Sequence, residues 1–183
     1  MSRAPVLTSE TMNDAQREVH QEIVSGPHGH VAGPYNAWLQ SPELARRARG
    51  LSEFVRFKSS LPKRLTELTI LVTGRFWKAE FEYYAHAKLA KKAGLEDSII
   101  SDIARGKRPT FQNADEEAVY DLCVELYETR QLGDENFGRA VELLGLQAVV
   151  EVVATAGYYS MVSMTLNAFQ VPLPPGESSP FSG

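Results

Sequence analysis

The hydrophobic and polar positions of this chain repeat at helical spacing along nearly its whole length. Apolar residues return every three or four positions, which is the spacing of one face of an α-helix. A segment rich in glycine and proline, residues 26–34, interrupts the pattern and predicts a turn. The chain is therefore predicted to be all-α, with helices over residues 10–25, 42–57, 61–74, 78–92, 97–105, 115–130, 134–144 and 146–169.

Several predicted helix ends carry residues that favour them. Ser9 can cap the first helix, and Ser41 followed by Pro42 is typical of a helix N-terminus. Gly94, which follows two lysines closely, is typical of a C-terminus. The tail from residue 171 contains four prolines and no helical period, so it is expected to be loose or to lie extended across a neighbouring subunit.

The last predicted helix, residues 146–169, is apolar almost all the way round. A helix of this kind is normally surrounded by other helices. It is either the central core helix of a monomer or a helix that completes its burial at a subunit interface. Glu151, Thr155 and Ser160 interrupt its longest apolar run, which is short and polar for a membrane span, so no membrane association is expected.

Length and composition are those of a soluble globular protein. The 183 residues fit one compact unit, described as an N-terminal helical arm (1–25), a helical domain (26–170) and a proline-rich tail (171–183). The net charge is -4 and the lysines and arginines are scattered, so nucleic acid is not an expected partner. One cysteine and no apolar signal segment predict a reducing, cytoplasmic setting.

Candidate chemistry lies in residues 75–94, where Glu82 and His86 stand four positions apart. A carboxylate and an imidazole at this spacing face the same side of a helix and are close enough to share a proton. Other positions on that side are small, including Ala79 and Ala90. The pair is expected to point to the core or a pocket; the alternative is a surface ion pair on a lysine-rich helix.

The run over residues 61–95, LPKRLTELTILVTGRFWKAEFEYYAHAKLAKKAGL, resembles the core of the carboxymuconolactone decarboxylase family, which also contains the AhpD-like alkylhydroperoxidases. In that family a helix with a glutamate is followed by a short break and a helix with two cysteines at CxxC spacing and a histidine four residues later. The matching positions here are Glu67, Ala79, Glu82 and His86. The resemblance implies an AhpD-like helical bundle that assembles as a homo-oligomer, a trimer or a hexamer.

The chain departs from the peroxidase branch because Ala79 and Glu82 occupy the two cysteine positions. A thiol peroxidase needs one thiolate to attack the peroxide and a second thiol to resolve the product. The single cysteine, Cys123, sits among apolar residues of a predicted helix and is interpreted as a small buried hydrophobic residue. The decarboxylase branch also lacks the cysteines and carries a comparable Glu and His motif.

The resemblance implies a cofactor-free lyase or isomerase that acts on a small carboxylated lactone or a related enolisable compound. His86 would deliver a proton to carbon, and Glu82 and Glu67 would raise the pKa of its imidazole. Two alternatives stay open. One is a peroxide-reducing antioxidant protein, which would require Cys123 to be exposed with a lowered pKa, and the other is a non-catalytic oligomer that binds a small molecule.

Four further residues are candidates for substrate binding. Arg75, in the break between the two motif helices, can hold a carboxylate, and Trp77 can form the wall of a pocket for a planar ligand. Tyr35 and Asn36 follow a Gly-Pro turn and present hydrogen-bonding groups from a loop. The alternatives are an ion pair for Arg75, packing for Trp77 and a purely structural turn for the loop.

Neither a metal nor another cofactor is expected. His28 and His30 are separated by one glycine in a loop, and tight metal binding there would need further ligands that the sequence does not identify. The expected partners are a small-molecule substrate and further copies of the chain.

Overall fold

The computed structural model describes residues 2–27 and 29–181, and this part of the chain contains helices and no strands. The helices are α1 (Asp14–Ser25), α2 (Tyr35–Trp38), α3 (Pro42–Glu53), α4 (Lys63–Phe76), α5 (Glu80–Lys92), α6 (Asp97–Ala104), α7 (Ala114–Thr129), α8 (Asp134–Leu144) and α9 (Leu146–Ala168). A π-helical turn, Phe54–Lys58, extends α3. The predicted all-α class is confirmed, and every predicted helix is present with its ends shifted by a few residues at most.

The first helix begins at Asp14 rather than at residue 10 because Asn13 caps it. The Asn13 side chain accepts a hydrogen bond from the Gln16 N–H, and the Gln16 side chain accepts one from the Asn13 N–H, both at 2.9 Å. This reciprocal pair satisfies two backbone donors at the helix start. The predicted cap, Ser9, instead donates its hydroxyl to Glu10.

Helix α4 is the centre of the fold. Every residue from Leu65 to Gly74 is buried, and α4 packs against α5, α7 and α9. Thr69 donates to the Leu65 carbonyl at 2.9 Å and Thr73 to the Thr69 carbonyl at 2.7 Å, so these hydroxyls are satisfied inside the core. It is therefore α4, and not α9, that the rest of the chain surrounds.

Helix α9 is buried on one face and exposed on the other. Its exposed face carries Leu146, Val150, Val153 and Met164, whose accessibilities are 58, 60, 41 and 52 %. The helix is long and apolar enough to cross a membrane, but 56 % of its most apolar stretch is buried in the fold, as in a core helix of a soluble protein. Leu146, Val150 and Val153 follow one another at spacings of four and three residues, the alternation of a helix-packing seam.

Glu151 connects α9 to the turn before α4. This side chain is only 6 % accessible. Its Oε2 accepts hydrogen bonds from the Ser59 hydroxyl at 2.6 Å and from the Ser60 N–H and hydroxyl at 2.7 and 2.9 Å, while its Oε1 accepts one from Gln147 at 2.9 Å. Burial alone would raise the pKa of Glu151, but these hydrogen bonds outweigh it and lower the pKa to about 2.

The C-terminal tail is not loose but contacts its own chain. Glu177 accepts a hydrogen bond from the Tyr84 hydroxyl at 2.5 Å, and the Ser179 hydroxyl donates to Glu80 at 2.6 Å. The Phe181 ring packs edge-on against Tyr83, with ring centroids 5.1 Å apart. These contacts lie along α5, which offers both hydrogen-bonding groups and an aromatic surface to the tail.

We predict that a second copy of the chain covers the exposed face of α9. Val153→Lys places a charge on this face and should yield a folded protein of lower mass, measured by light scattering at micromolar concentration with circular dichroism as the folding check. Val152 is 0 % accessible, so Val152→Lys is the matched control and should unfold the chain. A wild-type protein that is already monomeric would contradict the prediction.

Glu151→Gln should lower the free energy of unfolding by about 1–3 kcal/mol at pH 7, because the amide is a weaker acceptor for the same donors. The folded pKa of about 2 lies below the ordinary value of 4.5, so the stabilisation is complete above pH 4.5 and is lost as the pH falls toward 2. Urea denaturation at pH 7 and pH 3 should show a smaller difference between wild type and variant at pH 3. Exposed Glu142→Gln is the control, and an equal difference at both pH values would refute this account.

Candidate functional site

Helices α4 and α5 place two acids on either side of His86. Glu67 lies in the first half of α4, and a connection of three residues after Phe76 brings the chain back so that α5 packs against α4. Lys78 in this connection has a φ of 50°, the left-handed conformation that allows the tight reversal. Glu82 and His86 then follow in the first two turns of α5, next to Glu67.

The two ring nitrogens of His86 each face one acid. Nδ1 lies 2.6 Å from Glu67 Oε2 in a hydrogen bond, and Nε2 lies 3.0 Å from Glu82 Oε1 as an ion pair. The three side chains are almost enclosed, with 8 % of His86, 0 % of Glu67 and 5 % of Glu82 accessible. We call these three residues the buried triad. The alternative of an exposed surface pair is therefore wrong.

The triad holds His86 in its protonated form at neutral pH. Burial alone would lower the pKa of His86, but the charge of Glu82 and the hydrogen bond with Glu67 act against it and raise the pKa to about 9. This is the direction expected from two acids beside one histidine. At pH 7 both ring nitrogens are therefore donors, and the imidazolium is an acid with a carboxylate on each side.

The second carboxylate oxygen of Glu67, Oε1, faces Lys63 rather than His86. This oxygen is buried without a hydrogen-bond partner among the described residues. The Lys63 amine lies 4.0 Å away on a side chain that is 46 % accessible. Burial lowers the pKa of Lys63. Lys63 thus stands between the buried triad and the surface.

A cavity of about 390 Å³ opens against the other side of the triad. Glu82 and His86 form one wall. The remaining walls come from the turn segment before α2, from α2 itself, from the end of α3 with its π-helical turn, and from α5 and α9. They include Tyr35, Ser52, Arg56, Phe57, Phe81, Tyr158 and Tyr159. Hydrogen-bonding groups, one cation and aromatic rings therefore meet the acid and base of the triad in a single pocket, which we call the triad pocket.

The tyrosines of this pocket are neutral hydrogen-bond donors. Burial raises the pKa of Tyr35, and the hydroxyls of Ser52 and Tyr158 oppose this only in part. Burial likewise raises the pKa of Tyr158 and of Tyr159. The Tyr159 ring also packs edge-on against the His86 ring, with centroids 5.1 Å apart, and so helps to fix the imidazole.

The cation of the pocket is Arg56 and not Arg75, which corrects the sequence-based assignment. Arg56 lines the pocket, and its charge acts on both Tyr35 and Tyr159. Arg75 is eight residues beyond Glu67 on α4, which is about 12 Å along the helix axis, and it lines a different cavity. The distance along α4 is the reason that Arg75 does not reach the triad.

Two other predicted binding residues also lie away from the pocket lining. Trp77 packs against Phe76, with ring centroids 5.5 Å apart, and its carbonyl accepts a hydrogen bond from Asn167 at 2.7 Å. Asn36 is absent from the lining, whereas Tyr35 is part of it. Both residues belong to α2, and successive helical residues point about 100° apart, so only one of them faces the cavity.

Sequence reasoning missed Arg56 and Ser52. A weak signal for them exists, because the two residues are four positions apart at the end of α3 and so share one face of the helix. Tyr158 and Tyr159 carried no signal beyond that of core aromatics on an apolar helix. Their place in the pocket follows from the packing of α9 against α4.

No protein-family model and no curated protein matches the chain. Solved structures match it in fold. An uncharacterized peroxidase-related protein with an AhpD core from Ralstonia eutropha JMP134 has a TM-score of 0.78 at 13 % identity, over 95 % of this chain and 93 % of that one. An uncharacterized peroxidase-related protein from Silicibacter sp. TM1040 has a TM-score of 0.76 at 11 % identity, over 95 and 92 %. A cysteine-to-alanine variant of a debrominase in complex with 2,3,4-tribromopyrrole has a TM-score of 0.73 at 14 % identity, over 94 and 91 %. The chain has the AhpD-like fold.

The AhpD-like fold expected from residues 61–95 is thus confirmed. At these identities the likeness shows the fold alone, and it does not separate a decarboxylase from other activities.

Cys123 does not provide a peroxidase site in this AhpD-like protein. The thiol is 0 % accessible and lies in the apolar core with Val119 and Leu122. Burial raises the pKa of Cys123 to about 12, which Thr69 opposes only in part. The alternative of a peroxide-reducing protein required an exposed Cys123 thiol with a lowered pKa, whereas this thiol is buried and its pKa is raised.

The triad does not have the geometry of a metal site. His86 meets its two acids with opposite ring nitrogens, so the three side chains do not converge on one point. Within residues 2–27 and 29–181, no group of three or more His, Cys, Asp or Glu side chains could hold a metal ion. Of the two loop histidines, His30 lines the triad pocket and His28 lies outside the described residues.

We predict that the His86 imidazole titrates with a pKa of about 9, measured by NMR of its ring protons. Glu82→Gln removes a neighbouring charge and should lower that pKa by about one unit or more, whereas exposed Glu135→Gln should not change it. The folded pKa lies above the ordinary value of 6.5, so the stabilisation is complete below pH 6.5 and is lost as the pH rises through 9. A titration near pH 6.5 in the wild type would show that the two acids do not act on the ring.

Proposed function

We propose that this AhpD-like protein is a cofactor-free enzyme that moves a proton to or from carbon in a small, carboxylated, enolisable compound such as a lactone. The observation that carries the proposal is the buried triad, of which Glu82 and His86 line a cavity of about 390 Å³. A protonated imidazole and a carboxylate in one pocket supply both the acid and the base for such a reaction. The proposed reaction class is decarboxylation or isomerisation.

Binding of the substrate would use the side of the pocket away from the triad. Arg56 offers a forked contact to a carboxylate, and Phe57 and Phe81 offer flat apolar walls to a ring. The carboxylate on Arg56 would be one that the product keeps, because a cation holding the departing carboxylate would oppose the loss of CO2. The debrominase of the same fold that binds 2,3,4-tribromopyrrole supports a small planar ring as ligand.

In a decarboxylation, the electron pair of the bond to the departing carboxylate would move into the conjugated carbonyl, giving CO2 and an enolate. The neutral hydroxyls of Tyr35 and Tyr158 would donate hydrogen bonds to the enolate oxygen. His86 would donate its proton to carbon, and a proton from solvent would restore the imidazolium. One proton is then taken up for each CO2 released.

In an isomerisation, the acid and the base of the triad would act in turn. Glu82 would remove a proton from one carbon, and His86 would return a proton to another, so that the reaction leaves the proton count unchanged. In both reactions Glu67 would keep its hydrogen bond with Nδ1 of His86. Lys63, beside Glu67, lies toward the surface, from which solvent would resupply protons.

A non-catalytic binding protein is the second candidate function. One observation favours it: both nitrogens of His86 already face acids, at 2.6 and 3.0 Å. The imidazolium could donate to substrate carbon only after Glu82 moves aside. In this case the triad would stabilise the pocket, and ligand binding to Arg56 and the tyrosines would be the function.

A thermal-shift screen of small lactones and unsaturated carboxylates, followed by mass spectrometry of each stabilising compound, separates the two candidates. We expect His86→Ala to lower turnover by about 10²–10⁴-fold with the assembly mass unchanged, and Glu82→Gln to lower the rate and shift its pH profile. Arg56→Gln should chiefly raise KM, while the matched variant Arg47→Gln, on a side chain that is 78 % accessible, should behave as wild type. A compound that binds without turnover would favour the binding protein.

A further inference from the structure

A second cavity, of about 150 Å³, lies at the C-terminal end of α4. Residues of α7 and of the end of α6 form its other walls. Its walls include Arg75, Phe76, Gly106, Tyr120 and Tyr127. Among the described residues it has no lining residue in common with the triad pocket. The proposed function makes no use of it.

Arg75 brings a positive charge to this cavity and forms no ion pair with an acid among the described residues. Its Nε is buried without an acceptor, and within the described residues its guanidinium forms no hydrogen bond or ion pair. Nearby arginines differ, since Arg105 pairs with Asp102 and Arg108 with Asp121. A partly buried cation is unfavourable unless an anion accompanies it.

The surrounding chain is shaped to hold this guanidinium. Gly106 has a φ of 70°, and a Cβ at that position would lie 2.6 Å from an Arg75 Nη atom, so any larger residue would displace the arginine. The Phe181 ring covers the group, with its centroid 5.2 Å from the guanidinium carbon. The arginine is thus held between a glycine and an aromatic ring at the edge of the cavity.

Another part of the lining is aromatic and held by its own contacts. Phe76 stacks on Tyr127 with ring centroids 4.5 Å apart and planes 11° from parallel. The Tyr127 hydroxyl shares a hydrogen bond of 2.7 Å with Thr73 of α4. The charged residues that line the cavity are Arg75, Lys107 and Glu128, so the lining carries one positive charge in excess.

We propose that this cavity, which we call the Arg75 cavity, binds a small planar monocarboxylate, with the carboxylate on the guanidinium and the ring against the Phe76–Tyr127 stack. A monoanion matches the excess of one positive charge, and the guanidinium fork matches a carboxylate in geometry. A cavity of about 150 Å³ is large enough for one benzene ring. The ligand class is therefore an aromatic or similarly flat monocarboxylate.

Benzoate is the probe, and neutral benzamide is its control. In isothermal titration of the full chain, benzoate should bind at least about tenfold more tightly than benzamide. Arg75→Gln should abolish this difference and leave the melting temperature unchanged or raised, because it removes a cation that has no anionic partner. The matched variant Arg47→Gln should bind benzoate as the wild type does.

Benzoate can also enter the triad pocket, so the site must be located. Arg56→Gln should keep the tight benzoate binding, and the amide signals of Gly106 and Lys107 should shift on titration in NMR. If Arg75→Gln does not fold, Phe76→Ala provides a second test, because the Phe76 side chain is 47 % accessible and its removal should leave the fold intact. Loss of this ring should weaken the binding of benzoate but not that of acetate. The same change in both ligands would contradict the assigned ring position and overturn the proposal.

Three further results would overturn the proposal. The first is unchanged benzoate affinity in Arg75→Gln, and the second is loss of all binding in Arg56→Gln. The third is a change in assembly mass of Arg75→Gln together with no benzoate binding in the wild type, which would assign the guanidinium to a subunit interface. None of these results bears on turnover at the triad, so the two proposals fail independently.

Discussion

Glu67 is a fully buried acid on the most enclosed helix of the protein, and its ion pair with His86 is the constraint on which the rest of the site depends. A carboxylate in such a place is strongly unfavourable unless a cation and hydrogen bonds compensate it. His86 on α5 supplies this compensation, so α5 must lie close against α4. The short connection after Phe76 makes that packing local in sequence, and Glu82 arrives one helical turn before His86 as the second acid.

The two buried glutamates Glu67 and Glu151 differ in the groups that compensate their charge. Glu151 is surrounded by neutral donors from two serines and a glutamine, so its carboxylate is satisfied without any group that titrates near neutral pH. Glu67 depends on His86, whose own ionisation changes as the pH rises through about 9, and one of its oxygens lacks a donor among the described residues. Glu151 thus suits a structural connection, whereas Glu67 suits a site that handles protons.

The triad pocket and the Arg75 cavity both lie beside the central helices of the fold. Both cavities lie against α4 or its partner α5, and each has an arginine in its lining, Arg56 in one and Arg75 in the other. The surroundings differ. Arg56 faces neutral tyrosines near the triad, while Arg75 lies between Gly106 and the Phe181 ring. The two proposed ligand sites thus differ in what surrounds the guanidinium.

Sequence alone determined the helical class, the helix limits to within a few residues, and the approach of Glu67, Glu82 and His86. Helical period and the spacing of four residues are local properties, and the family pattern supplied the pairing of the two helices. Tertiary structure decided the rest. Contacts between residues far apart in sequence decide which arginine reaches the triad and which of Tyr35 and Asn36 lines the pocket. They also decide which helix is central and where the tail packs. Such contacts are set by the packing angles and separations of whole helices, which one helix's own sequence does not specify.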